Sequence, residues 1–247
     1  MGGPEAKRWT AQLGILIATM GAFAAANCGG SASPTSTSAL AAPRTCDEPV
    51  YVPAPSVVWP CPPAAAVRAI ESELDVVFEE DPPAGTAVCG PADGSVEMTR
   101  LQERVFQALY LMRRLRFDAP LPWTSETLWS WFVEEVREVR VGGSRTYCCA
   151  SPRVIVIGVS SEYGGGFPTL IEGLVHEARH TDGQHPHSCG TGADQTIGEL
   201  GGYGVQYYLN LWLSRHTVEP ALTLEERQYC ASRADLMRYY SFCRECR

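Results

Sequence analysis

Lysine is nearly absent: Lys7 is the only one among the 20 Lys and Arg residues of this 247-residue chain. No lysine- or arginine-rich patch stands out, and the net charge is −8. A surface of that sign repels phosphate backbones, so nucleic acid is not an expected partner. The chain also lacks a run suited to crossing a membrane: Leu13 to Ala26 is apolar, but short and built mainly of small residues. There is no internal repeat, P-loop or serine nucleophile elbow. The glycines at 164–166 lack the pattern that would make them a dinucleotide fingerprint. With 45% apolar and 19% charged residues, most of the chain has an ordinary globular composition. Its length suits one domain preceded by a signal and a tether.

The N-terminus has the pattern of an export address. Lys7 and Arg8 precede the Leu13–Ala26 stretch, giving residues 1–27 as a signal peptide. Removing their net +1 (Lys7 and Arg8 against Glu5) leaves a processed chain at −9. Cys28 follows, then a Gly/Ser/Thr-rich stretch that makes residues 28–45 a flexible tether. A cysteine in that place resembles a bacterial lipoprotein signal, which implies a lipid anchor at Cys28 as the sole membrane association. The expected location is outside the cytoplasm: cell-envelope lipoprotein, periplasmic or extracellular. Nine further cysteines (Cys46, Cys61, Cys89, Cys148, Cys149, Cys189, Cys230, Cys243 and Cys246) fit an oxidising compartment, where they act as staples. Their connectivity cannot be read from spacing, and an odd number leaves a free thiol or an intermolecular bridge.

Residues 46–247 then read as one disulfide-containing domain. Its first part, to Pro63, is proline-rich and extended, pinned to the rest. Val67, Ile70, Leu74 and Val77 predict a helix over 64–79. Met98, Leu101, Val105, Leu109 and Met112 predict a second over 97–116. A third, capped by Thr124 or Ser125, would carry Leu128, Trp131, Phe132, Val136 and Val139 up to Gly142-Gly143. Two strands are expected at 144–149 and 153–159, separated by Ser151-Pro152. Helices over 168–182, 196–215 and 223–242 complete the chain, the last with Thr223 and Glu226 spaced as a capping box. The expected fold class is α+β, mostly helical, with a small sheet just before the helix over 168–182.

That helix carries His176-Glu177-Ala178-Arg179-His180. Residues four apart on a helix project from one face one turn apart, so both imidazoles can reach a single metal ion. Glu177 lies beside them, where a carboxylate can take a proton from water on that ion. Composition alone yields such a pattern in on the order of one such chain in a hundred. Four of the five histidines also fall between His176 and His187.

With Leu174-Val175 before the motif, this stretch resembles the zincin metallopeptidases, over about residues 153–215. Arg179 and Asp182 stand where that family usually has an uncharged and an apolar residue. The resemblance implies a zincin-like core, Zn2+ held by His176 and His180, and a third protein ligand. Glu199, after 18 intervening residues, is similar to the glutamate of the gluzincin layout. Asp194 in Gly190-Thr191-Gly192-Ala193-Asp194 resembles the aspzincin pattern. His185 and His187 straddle the metzincin ligand position, which Pro186 occupies. Glu199 is ranked first, then Asp194, His187 and His185. The resemblance further implies that Glu177 passes a proton from water to the leaving amine and that Tyr203 or His187 steadies the oxyanion. It also implies that substrate adds as a strand along residues 153–159. No other cofactor-binding residues are expected.

Two readings follow. One is a zinc metallopeptidase acting on peptides or cell-envelope polymers outside the cytoplasm. The other is a non-catalytic exported lipoprotein, an envelope or interaction module stabilised by a structural metal site or by disulfides alone.

Overall fold

Burial changes period within the first predicted helix. In the computed structural model, which describes residues 49–55, 61–79, 101–158, 168–182 and 196–244, α1 spans Ala64–Glu71. Ile70 is fully buried, and Leu74, on the turn that follows, is buried as well. Beyond it the spacing fails: Asp75–Phe78 is a strand, β1, with Val76 and Phe78 against the core and Val77 42% exposed. The helix expected to run to Glu79 therefore ends eight residues earlier. Val76 and Phe78, at alternate positions, face the core as in a half-buried strand, and adjacent β-branched Val76 and Val77 favour that extended form over a helix.

α2 (Leu101–Arg114) buries Val105, Leu109 and Met112 completely, as the sequence pattern requires. A short strand, β2 (Arg116–Phe117), follows. α3 spans only Leu128–Glu135. Its cap is Thr127, whose hydroxyl accepts from the Ser130 N–H at 3.1 Å, rather than Thr124 or Ser125. Val136 is already extended, so Val136 and Val139 leave the predicted helix, and β3 (Glu138–Val141) begins where helix was expected. Arg153 stops α3 from outside: it donates to the carbonyls of Val133 (3.0 Å), Glu134 and Glu135 (3.2 Å). These are last-turn acceptors without intrahelical partners.

β4 (Tyr147–Ser151) and β5 (Val154–Ile157) match the two expected strands. The sheet they join has four strands in the order β1-β3-β5-β4, the first three parallel and β4 antiparallel at the edge. Every residue of β5 is buried, as a strand covered on both faces demands. The expected substrate edge at 153–159 is therefore interior, with β3 on one side and β4 on the other; among the described residues β4 is an edge strand, as is β1 at the other end of the sheet. Gly158 ends β5 where a side chain could not fit, since a Cβ there would lie 2.5 Å from the Arg145 carbonyl carbon.

α4 (Thr169–Arg179) continues as a 3-10 turn, His180–Asp182. It packs against α2, α3, β4 and β5, and against α5 (Gly202–Arg215), so that every residue from Leu170 to Ala178 is buried. The helix expected over 196–215 is broken, because Ile197–Glu199 form a separate 3-10 turn ending at Leu200 in the left-handed region (φ 55). β6 (Thr217–Glu219) pairs antiparallel with β2, joining the ends of α5 and α2. α6 (Leu224–Met237) begins with the expected capping box: the Thr223 hydroxyl accepts from Glu226 N–H at 3.2 Å, and Glu226 Oε2 accepts from Thr223 N–H at 2.7 Å. Arg238–Arg244 then widen into a π-helix. The proline-rich segment is held as expected, the Ser232 hydroxyl bonding to Val50 O (3.0 Å) and Val52 N (3.3 Å).

Among the described residues the fold is thus α+β, about 54% helical, with six α-helices, the mixed four-stranded sheet and the two-stranded ribbon. No described helix is long and apolar enough to cross a membrane. The chain separates into the units Met1–Ala41 and Ala42–Arg247, and all described residues belong to the second. The signal, the tether and Cys28 lie outside the described residues.

Candidate metal centre

The buried surroundings of α4 set the problem for its polar residues, because each group taken from water needs a compensating partner. His176 is 8% exposed and Glu177 7%, while His180, one turn on, is half-buried. The helix brings the two imidazoles together as the spacing predicts: their Nε2 atoms are 3.2 Å apart, and the rings meet edge to face with centroids 5.0 Å apart. Tyr203, at the start of α5, lays its ring against His176 at a centroid distance of 5.1 Å and an interplanar angle of 71°. The two histidines and Tyr203 are therefore assembled from two helices, with Glu177 on the same buried turn.

Glu199 belongs to a turn of its own rather than to the long helix expected over 196–215. It sits in the 3-10 turn ahead of α5, exposed, and its Oε2 accepts the Thr196 N–H at 3.0 Å in a capping box. Among the described residues, no group of three or more His, Cys, Asp or Glu is arranged to hold a metal ion. Asp194, His185, His187 and Cys189 lie outside the described residues. The turn is anchored instead by Ile197, which packs with Tyr207 of α5 and Ala234 of α6.

Arg179, the unusual residue inside the motif, does not meet the histidines through its Nε. That atom donates to the Leu200 carbonyl at 2.7 Å, binding the end of α4 to the turn that carries Glu199. Thr181 makes a second tie, donating to Glu135 Oε2 of α3 at 2.9 Å and to Ala178 O at 2.7 Å. On the sheet side, Cys149 Sγ of β4 stands 3.9 Å from the His180 carbonyl oxygen.

One turn before His176, Glu172 is 1% exposed and receives two hydrogen bonds from Arg233 of α6, at 3.1 and 2.5 Å. Burial works against the guanidinium charge, but the hydrogen-bonded Glu172 carboxylate more than offsets it and holds the Arg233 pKa above its ordinary value. An acid set among Leu170, Ile171, Leu174 and Val175 was the signal that this pair existed, although its partner 61 residues away could not be named from sequence.

The cysteines divide in the structure. Cys148 and Cys149 are bonded to each other, and Cys61 is disulfide-bonded. Cys230 of α6 is a free thiol buried in the core, one of the outcomes that an odd number of cysteines allows. A surface cavity of about 250 Å³ near the start of α3, lined by Arg116, Asp118 and Ser125 among others, shares no residue with the histidine pair. Comparison with protein-family models, with curated proteins and with solved structures finds no match to this chain.

Proposed function

We propose that the chain is a zinc-dependent metallohydrolase with a zincin-like core, a peptidase acting outside the cytoplasm, in which His176 and His180 hold the ion. The observation that carries this reading is the 3.2 Å between the two Nε2 atoms. Two imidazole nitrogens at about 2.0–2.1 Å from one tetrahedral zinc would lie roughly 3.3–3.4 Å apart, so the pair needs almost no adjustment. Glu199, with Asp194, His187 and His185 behind it, is the candidate third ligand.

When bound, zinc supplies Lewis acidity and makes water acidic enough to attack near neutral pH. The Glu177 carboxylate, buried on the same turn, takes the water proton and returns it to the leaving amine. Tyr203, against His176, offers a hydroxyl to the developing oxyanion. A peptide or cell-envelope polymer bearing amide groups adds along β4, the antiparallel edge strand beside the end of α4. Residues 1–27 direct export, and Cys28 provides the lipid anchor.

The test is metal content and peptide hydrolysis by the purified chain. One zinc per chain, lost in His176→Ala and His180→Ala but kept in Glu177→Gln, with hydrolysis lost in all three, supports the reading. Loss of zinc in Glu199→Ala, but not in Asp194→Ala, His187→Ala or His185→Ala, would assign the third ligand. No zinc after attempted reconstitution sinks it.

A second reading is favoured by the capping role of Glu199. In that reading the chain is a non-catalytic exported lipoprotein serving as an envelope or interaction module. Bound zinc without hydrolysis of any amide substrate, and no effect of Glu177→Gln, would select it.

A further inference from the structure

Two cysteines adjacent in sequence, Cys148 and Cys149, are joined to each other on β4, an edge strand of the four-stranded sheet among the described residues. Their surroundings differ. Cys148 is half-buried against the core, whereas Cys149 is exposed. The pairing of β4 with β5 slips between Cys148 and Ser151, so the ladder is interrupted just where the disulfide sits. Cys149 Sγ also faces the carbonyl oxygen of His180, at 3.9 Å, across the junction between β4 and the 3-10 turn that ends α4.

We propose that Cys148–Cys149 is a redox-active site that accepts two electrons from a dithiol and thereby alters the contact between edge strand β4 and the end of the histidine-bearing helix. A thiolate of the dithiol attacks Cys149 Sγ, the exposed sulfur, and the Cys148–Cys149 bond breaks. Cys148 leaves as a thiolate and takes a proton from solvent. The second thiol of the reductant, once deprotonated, displaces Cys149 from the mixed disulfide, and Cys149 is protonated in turn. The dithiol ends as a disulfide and the protein gains two thiols, so electrons and protons balance.

The consequence at the helix end follows from hydrogen-bonding capacity. In the disulfide neither sulfur carries a proton, and Cys149 can only touch the His180 carbonyl. As a thiol it carries a weak S–H donor beside that oxygen. The same step releases two consecutive residues of β4 from their shared ring. The redox step stands independently of the metal reading; its effect on metal binding rests on that reading.

The full chain provides the test. The tryptic peptide 146–153 contains both cysteines, so a Cys148–Cys149 bond yields one uncrosslinked peptide two hydrogens lighter than its dithiol form. The expected result is that dithiothreitol converts the native protein to the dithiol with its circular dichroism intact, and that reoxidation restores the lighter peptide. Amide hydrogen exchange at residues 147–151 and 178–182 should differ by at least about fivefold between the two states, with Cys148→Ser/Cys149→Ser matching the reduced one. Zinc affinity, compared between oxidised wild type and the double variant to avoid chelation by the reductant, should shift by a similar factor. Cysteines that are already thiols in the native protein, cross-linked to other peptides, or reducible only on unfolding overturn the proposal. So does identical exchange at 178–182 in both states. If neither state binds zinc, the metal reading fails, while the exchange arm still decides the redox site.

Discussion

Arg179 Nε and the Leu200 carbonyl meet at 2.7 Å, joining the end of the histidine-bearing helix to the turn that leads into α5. The charged residue at a variable position of His-Glu-x-x-His thus serves in holding two elements together. Because α5 starts two residues beyond Leu200, this bond also helps to hold Tyr203 against His176. Removing it in Arg179→Met should lower stability by about 1.5–3 kcal/mol, the range for a hydrogen bond to a charged group. Urea denaturation reads the change, and a loss below about 0.5 kcal/mol, the scatter of ordinary surface substitutions, would show that the tie is incidental.

Glu172 and Arg233 set a stronger test of how α4 is held. With Glu172 1% exposed, Arg233→Met leaves a buried carboxylate without its partner. Such a loss is expected to cost about 3–5 kcal/mol, whereas replacing both members by apolar residues of similar volume is often neutral. Glu172→Leu/Arg233→Met should therefore recover most of the stability lost in Arg233→Met. A double variant as unstable as the single one would contradict the assignment.

Alkaline pH should destabilise the fold in two stages. Burial pushes the Cys230 thiol well above its ordinary value, with Glu172 and Glu226 adding to the effect. Burial likewise raises Tyr207, Tyr208 and Tyr229. The folded state favours the neutral form of each, while the unfolded chain releases its protons from about pH 8.5 for the thiol and about 10 for the phenols. Their contribution is complete below those values and is lost as pH rises above them. Urea midpoints between pH 7 and 11 should fall first near 8.5 and again near 10. In Cys230→Ala the first fall should vanish and the second persist; an unchanged profile would rule out the thiol as its source.

Gly158 is required by contact with its surroundings. An alanine Cβ would lie 2.5 Å from the Arg145 carbonyl carbon and 2.7 Å from its nitrogen, both backbone atoms that move only with the chain. Gly158→Ala should cost about 1–3 kcal/mol, as overpacking does. Thermal melting reads it, and an unchanged midpoint would mean that this loop shifts freely.

The helices that carry the site were largely legible before the structure. His176 and His180 meet because a step of four residues only slightly exceeds one turn, a relation that no distant residue has to supply. The capping box of Thr223 and Glu226 and the buried face of α2 are local in the same way. The misreadings share a cause. Val77 and Val139 stand at spacings that suit a helical stripe, yet β1 and β3 form there because each finds a parallel neighbour far along the chain. The choice of β4 over β5 as sheet edge likewise depends on β3 covering β5.

What the sequence by itself determined is the pairing of the two imidazoles, the acidic residue between them, and the succession of amphipathic helices. Each follows from backbone periodicity over a few residues. Tertiary structure alone decided that Glu199 caps a turn, that Arg179 grips Leu200, that Arg233 neutralises Glu172, and that Cys149 faces the end of the helix. Those outcomes join residues separated by many positions or depend on a local turn competing with a distant site. Such choices are settled by which groups packing leaves without water, a quantity that no local spacing contains.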